Sequence, residues 1–225
     1  MGDQRSVLQL PIDEGLICLR GLSPRRTRFE VEYALERGSC HNSFLFNSTD
    51  PATPAVLVHP PGATFTEPFL ASLNELLTPE QPLQVVQGNV NPDRVALLHA
   101  LVRQHPQLEL VVSNAGAKLL DELWERQKPG SDAPPPPPQP PRTVIKQDSS
   151  LALPDGRELE VLAVPTPRWP GGLVAFLPEN GLLMSGRFFA AHLCSDSYAE
   201  TNRSSTEEDR RYYYDCLMAP MASQV

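Results

Sequence analysis

The chain has 225 residues, of which 40% are hydrophobic and 20% charged, a balance that supports a packed core and excludes a disordered chain. Nineteen basic residues against 27 acidic ones give a net charge of −8, which offers no general attraction for phosphate backbones or anionic membranes. At roughly 150 residues per domain, one sizeable domain or two small ones are the options. No apolar stretch approaches the ~20 residues needed to span a bilayer, and no apolar run follows Met1–Arg5 as a secretory signal would require. The expectation is a cytoplasmic protein without a membrane segment or a nucleic-acid partner. Cys18, Cys40, Cys194 and Cys216 form no CxxC pair and read as reduced thiols.

Residues 29–46 hold short apolar runs broken at Gly38 and Ser39, which suits paired strands, and Ala55–His59 is a buried strand that enters a Pro-Pro-Gly turn. Glu67–Leu77 then places Phe69, Leu70, Leu73 and Leu76 on one helical face, and Leu83–Val86 is a short strand. Next, Asn91 is placed to cap a helix whose first position is Pro92, where the missing N–H costs nothing. Val95, Leu98, Leu101 and Val102 continue that helix at the right spacing. Leu108–Val112 repeats the strand signal, and Asn114 opens a helix that runs to Trp124.

Proline is concentrated beyond this point. Eight of the 25 prolines lie in residues 129–141, a segment that favours extended polyproline II and reads as an exposed spacer or a ligand for an aromatic groove. Glu158–Val164, Leu173–Phe176 and Gly181–Ser185 are strands, the last two joined by a turn at Pro178–Gly181. Ser204–Asp209 reads as a capped helix start. The whole is one α/β layered domain with an inserted loop, and the aromatic run Arg210–Met218 close to Val225 suggests a piece of something longer.

Ligands in α/β proteins collect in loops at the carboxyl ends of strands, here Gly88–Arg94, Pro165–Pro170 and Gly186–Phe189. These loops, with Arg28–Ser43, Leu57–Gly62, His192–Asp196 and Tyr212–Pro220, resemble the metallo-β-lactamase-like domain of flavodiiron proteins, specifically the cyanobacterial multi-domain diflavin kind. The resemblance runs from about Arg28 to Val225. It implies an αββα sandwich filling residues 1–225, with flavodoxin-like and flavin reductase domains after Val225.

In that family a His-x-Glu-x-Asp-His loop, a His before Trp-Pro and a bridging Asp hold two non-haem irons that reduce dioxygen or nitric oxide with electrons from a flavin. Laid onto this chain, those positions fall on Asn89, Asn91, Asp93 and Arg94, on Arg168, and on Arg187; only Asp93 is kept. Guanidinium has no lone pair to give a cation and stays charged, so the expectation is a site without metal and no catalytic residue. Plainer roles fit the same residues: Asn91 as a helix cap, Arg94 as a solvated first-turn side chain, Arg168 stacked on Trp169. His41, His59, His99 and His105 show no ligand spacing, and His192 with Cys194 reads as a core pair.

The resemblance implies a role in NAD(P)H-dependent reduction of dioxygen to water, as an electron sink of photosynthetic electron transport. The chain would be the metal-degenerate subunit of a homo- or heterodimer with a homologous flavodiiron subunit. FMN is expected in the full-length protein or its partner, and di-iron only in an intact homologue. The alternative is a non-catalytic binding or dimerisation module with a cationic pocket.

Overall fold

A computed structural model describes residues 5–25, 28–29, 33–34, 37–126, 134–199 and 203–224. The chain opens with a hairpin of β1 (Ser6–Asp13) and β2 (Leu16–Ser23), followed by the two-residue strands β3 (Arg28–Phe29) and β4 (Tyr33–Ala34). The expected pairing across residues 29–46 therefore lies partly outside the described residues; within them, β5 (Ser39–Phe46) is a full strand, and β6 (Ala55–Val58) follows it. Then come α1 (Thr66–Asn74), β7 (Leu83–Val86), α2 (Pro92–Gln104), β8 (Leu108–Ser113) and α3 (Asn114–Leu123). The second half holds β9 (Arg142–Ile145), β10 (Ser149–Ala152), β11 (Glu158–Ala163), β12 (Leu173–Leu177), β13 (Leu182–Met184) and α4 (Glu207–Tyr213).

Two stacked sheets carry the fold. The larger has the order β1-β2-β5-β6-β7-β8-β9 and the smaller β10-β11-β12-β13. Pairing is antiparallel from β1 to β6 and parallel from β6 to β9, as the helical crossovers α1, α2 and α3 require. Alternation within single strands then divides the interior into two cores. Ala55 and Leu57 of β6 face the helices, whereas Val56 and Val58 face the second sheet. Val85 and Val86 divide in the same way, as do Leu110 and Val111. These strands are apolar throughout because neither face meets water. The sandwich of two sheets with helices is the architecture the sequence implies.

Helix starts follow capping chemistry. Asn91 Oδ1 accepts the Arg94 amide at 2.9 Å with Pro92 in the first position. Helix α3 is capped one residue earlier than Asn114, by Ser113, whose Oγ accepts the Gly116 amide at 3.1 Å. The capped start expected at Ser204–Asp209 is corrected: a 3-10 turn over Arg203–Thr206 leads into α4 with no side-chain cap, and α4 widens into a π turn over Tyr214–Met218. Tyr213, Leu217, Met218 and Met221 pack with Trp169 into a third, smaller core.

The proline segment also differs from a free spacer. Proline cannot donate a hydrogen bond, but its carbonyl accepts one. Trp124 Nε1 donates to Pro137 O at 2.7 Å, and Arg103 Nη2 to Pro135 O at 2.8 Å. Residues 134–141 thus lie as a strap over α2 and α3; residues 129–133 are outside the described ones. Among the described residues, no helix is long and apolar enough to cross a membrane.

Candidate functional site

Loops at one end of the sandwich enclose a cavity of about 110 Å³. Of the three histidines that line it, His192 stands on a later loop, whereas His41 comes from β5 and His59 stands just past β6. The last two lie 18 residues apart in sequence but on neighbouring antiparallel strands, where Phe44 pairs with Val58. His41 Nε2–H donates to His59 O at 2.7 Å, and His59 Nε2–H donates to Met184 O at 3.1 Å. A carbonyl only accepts, so each ring carries its proton on Nε2. Burial holds His41 well below the usual imidazole range, with the Arg94 guanidinium adding to the effect. Burial likewise brings His59 down to about 4. Both rings are neutral at pH 7.

Backbone closeness fixes His59. Its own φ is +56°, a left-handed conformation rare for a side chain of this size. Gly88 lies so near that a Cβ there would stand 2.6 Å from His59 Cε1 and 2.4 Å from Leu173 O. Any side chain at Gly88 would push the imidazole out of the cavity wall.

Of the positions singled out from sequence, Asn89, Arg94 and Arg187 line the cavity. The Arg94 guanidinium lies alongside the His41 ring, 3.4 Å from Nε2 and 3.5 Å from Nδ1, and donates to Pro60 O. Because Nε2 already carries a proton, Nδ1 is the atom that can accept from Arg94. Arg187 sits over Trp169, 5.4 Å from the ring centroid, so the cation on that indole is Arg187, where the sequence suggested Arg168. Tyr213 Oη donates to Arg187 O at 2.7 Å, and burial raises its hydroxyl to about 12, although Arg187 and Arg168 both pull the other way.

Asn91, Asp93 and Arg168 do not line the cavity. Asn91 spends its side-chain oxygen on the helix cap. Asp93 is exposed and packs on Gly62, where a Cβ would lie only 1.6 Å from its Oδ2. Arg168 is half-buried near Tyr213.

Sequence reasoning missed His41, His59, Gln87 and Tyr213 as wall residues. His59 had a usable signal, since it stands at the end of an apolar strand before a turn, as the other site loops do. His192 meets Tyr213 edge-on at 4.9 Å, and all four cysteines are free thiols. Cys40 Sγ–H donates to Leu193 O at 3.1 Å, and burial raises its thiol. No carboxylate is among the described residues lining the cavity, and among the described residues no three His, Cys, Asp or Glu side chains are grouped so as to hold a metal ion.

No protein-family model matches the chain. It is 37% identical over 221 residues to a protein named diflavin flavoprotein A 6 from Nostoc, a match covering 98% of this chain and 36% of that protein. A crystal structure of a fragment of diflavin flavoprotein A 5 from Nostoc superposes with a TM-score of 0.83 at 31% identity, covering 98% of this chain and 81% of that one. The chain belongs to the flavodiiron family. A metal-soaked flavodiiron core from Synechocystis superposes with a TM-score of 0.86 at 33% identity, over 98% of this chain and 51% of that one. The flavodiiron protein of Thermotoga maritima, at 18% identity and a TM-score of 0.80, shares the fold. The chain thus corresponds to the metallo-β-lactamase-like domain of flavodiiron proteins and spans about a third of the curated relatives it matches.

Proposed function

We propose that this chain is the metal-degenerate oxygen-reductase-type domain of a flavodiiron protein. In this reading the whole protein takes part in NAD(P)H-dependent reduction of dioxygen as an electron sink, paired with a homologous subunit that keeps its iron ligands. Flavodoxin-like and flavin reductase domains complete it, and FMN there or in the partner delivers the electrons. The family name carries the flavin and the iron; the share of this domain is to hold the assembly together.

One observation carries the reading: the cavity at the ligand loops is walled by Arg94, Arg187 and Asn89. Non-haem iron needs imidazole and carboxylate lone pairs and open coordination positions. Guanidinium supplies neither and repels a cation, the asparagine amide is a poor ligand for iron, and His41 and His59 direct their Nε2–H groups to carbonyls. These residues do not fit a di-iron centre, so no chemical step is assigned to one here.

The test is metal analysis of the purified chain after growth with iron, together with co-purification from cells that contain a ligand-intact homologue. The reading expects less than a tenth of an iron per chain and a stable complex with the homologue. Two irons per chain would overturn it. An iron-free chain that never associates would favour the second reading, a stand-alone binding module. That alternative draws on the buried polar atoms in the cavity wall.

A further inference from the structure

We propose that Cys40 and Cys194 form a redox-modification site, at which a hydroperoxide reversibly converts the two thiols into a disulfide that ties the loop after β13 to β5. The inference goes beyond the proposed function and does not depend on what occupies the former ligand positions.

Hydrogen bonds bring the two residues together. Cys40 is the second residue of β5, and Cys194 lies in the irregular stretch between β13 and α4. Cys40 Sγ–H donates to Leu193 O at 3.1 Å, and the Cys194 N–H donates to Arg37 O at 2.8 Å. In a planar trans peptide the carbonyl oxygen stands about 2.8 Å from the following Cα. Cys40 Sγ is therefore within about 6 Å of the Cys194 Cα, and the two Cα atoms are at most about 9 Å apart. Disulfides join Cα atoms about 4.4 to 6.8 Å apart, so closure asks for a movement of about 2 Å or less. That movement falls on residues 190–199, which belong to no helix or strand. Ser195 O accepts the Arg20 Nε–H at 2.8 Å, so the segment is held in register over β2 and β5 while it moves.

Access and charge single out Cys40 as the first sulfur to react. It lines both the cavity and an adjoining open groove of about 590 Å³, through which a peroxide reaches it. Cys18 is only 1% exposed, and Cys216 packs against the third core. Burial raises the Cys40 thiol, the Arg20 guanidinium pulls the other way, and the neighbouring Cys194 adds to the rise. The reduced pair is thus the resting form at neutral pH, and Arg20 stands by the thiolate that reacts.

The Cys40 thiolate attacks one peroxide oxygen, the O–O bond breaks, and sulfenic acid and water are left. The Cys194 sulfur then attacks the Cys40 sulfur; the S–S bond forms as the S–O bond breaks, and a second water leaves with the Cys194 proton. Two thiols and one hydrogen peroxide give one disulfide and two waters, with two electrons passing from sulfur to peroxide. The bond clamps the loop onto the strand that carries His41, the next residue along β5.

The reduced 225-residue chain is treated with hydrogen peroxide, remaining thiols are counted in denaturant, and non-reducing digests are mapped by mass spectrometry. Loss of two of the four thiols is expected, with the peptides of Cys40 and Cys194 joined and lighter by two hydrogens, and full recovery in dithiothreitol. In Cys194→Ser the linkage should vanish and dimedone should trap a sulfenic acid on Cys40, whereas Cys18→Ser should form the bond as the unaltered chain does. Retention of all four thiols, loss of thiols without that linkage, a covalent dimer, or Cys40 joined to another cysteine would overturn the inference. Should Cys194→Ser fail to fold, the map of the unaltered chain decides the matter.

Discussion

The helix-covered core and the loop-end cavity share the same strands but obey opposite rules. On the helix side, Leu57, Val85 and Leu110 meet Leu97, Leu98 and Leu101 with no exposure above 2%, and those contacts are apolar, although His105 at the end of α2 is buried with neither ring nitrogen hydrogen-bonded. A few residues further along, the chain that leaves β6 and β7 holds a histidine at positive φ, a glycine that admits no side chain and two buried polar atoms without partners. The first region is bound by packing and tolerates little change. The second is held by backbone geometry, at the positive φ of His59 and the close approach of Gly88. A scaffold of this kind can keep its loops in place while the side chains on them vary.

Substitutions can break or sharpen that contrast. The largest effect is expected from Leu57→Ala, which opens a void between β6 and the helices and should cost about 3 to 5 kcal/mol in a denaturant titration. Acid should come next. A histidine with a lowered folded pKa favours the native state while the unfolded chain is neutral as well. Below the unfolded value of 6.5 the unfolded chain gains a proton that the native one refuses. Stability is therefore complete above pH 6.5 and falls as pH drops towards 4, by about 3 kcal/mol for His59 alone, with His41 adding to the loss. Unfolding midpoints measured from pH 7.5 to 4.5 check the sign, and a flat profile would contradict the neutral pair.

Asn91→Ala should lose about 1 kcal/mol through the lost cap, read from the denaturation midpoint, and an unchanged midpoint would show that the Asn91–Arg94 hydrogen bond contributes nothing. The smallest effect is expected for Asp121→Asn. It breaks a bidentate pair with Arg142 at 2.7 and 3.1 Å on the surface, worth about 0.2 to 1 kcal/mol and weaker in salt.

The two regions also differ in how much of them the sequence declares. Strands β6, β7 and β8 and the start of α2 are legible because apolar runs, Asn91 and Pro92 act locally. The hairpin of β1 and β2 is not, since Arg20 and Gly21 interrupt the apolar run. Arg20 is only 6% exposed, and what permits this is remote in sequence: Ser195 O accepts its Nε–H at 2.8 Å and Asn42 Oδ1 its Nη1–H at 2.6 Å. The proline strap hides for the same reason, because its partners Trp124 and Arg103 belong to other elements. At the cavity, Asn89, Arg94 and Arg187 were reached through resemblance to the family, whereas His41 and His59 needed the β5–β6 register. Nothing in one dimension shows that Asp93 packs on Gly62 and is not among the residues lining the cavity.

The most direct test of the account is the iron content of the chain purified from iron-replete cells. The account predicts less than a tenth of an iron per chain. Two irons per chain, lost when Arg94 or Arg187 is left alone and His41 and His59 are replaced, would contradict it.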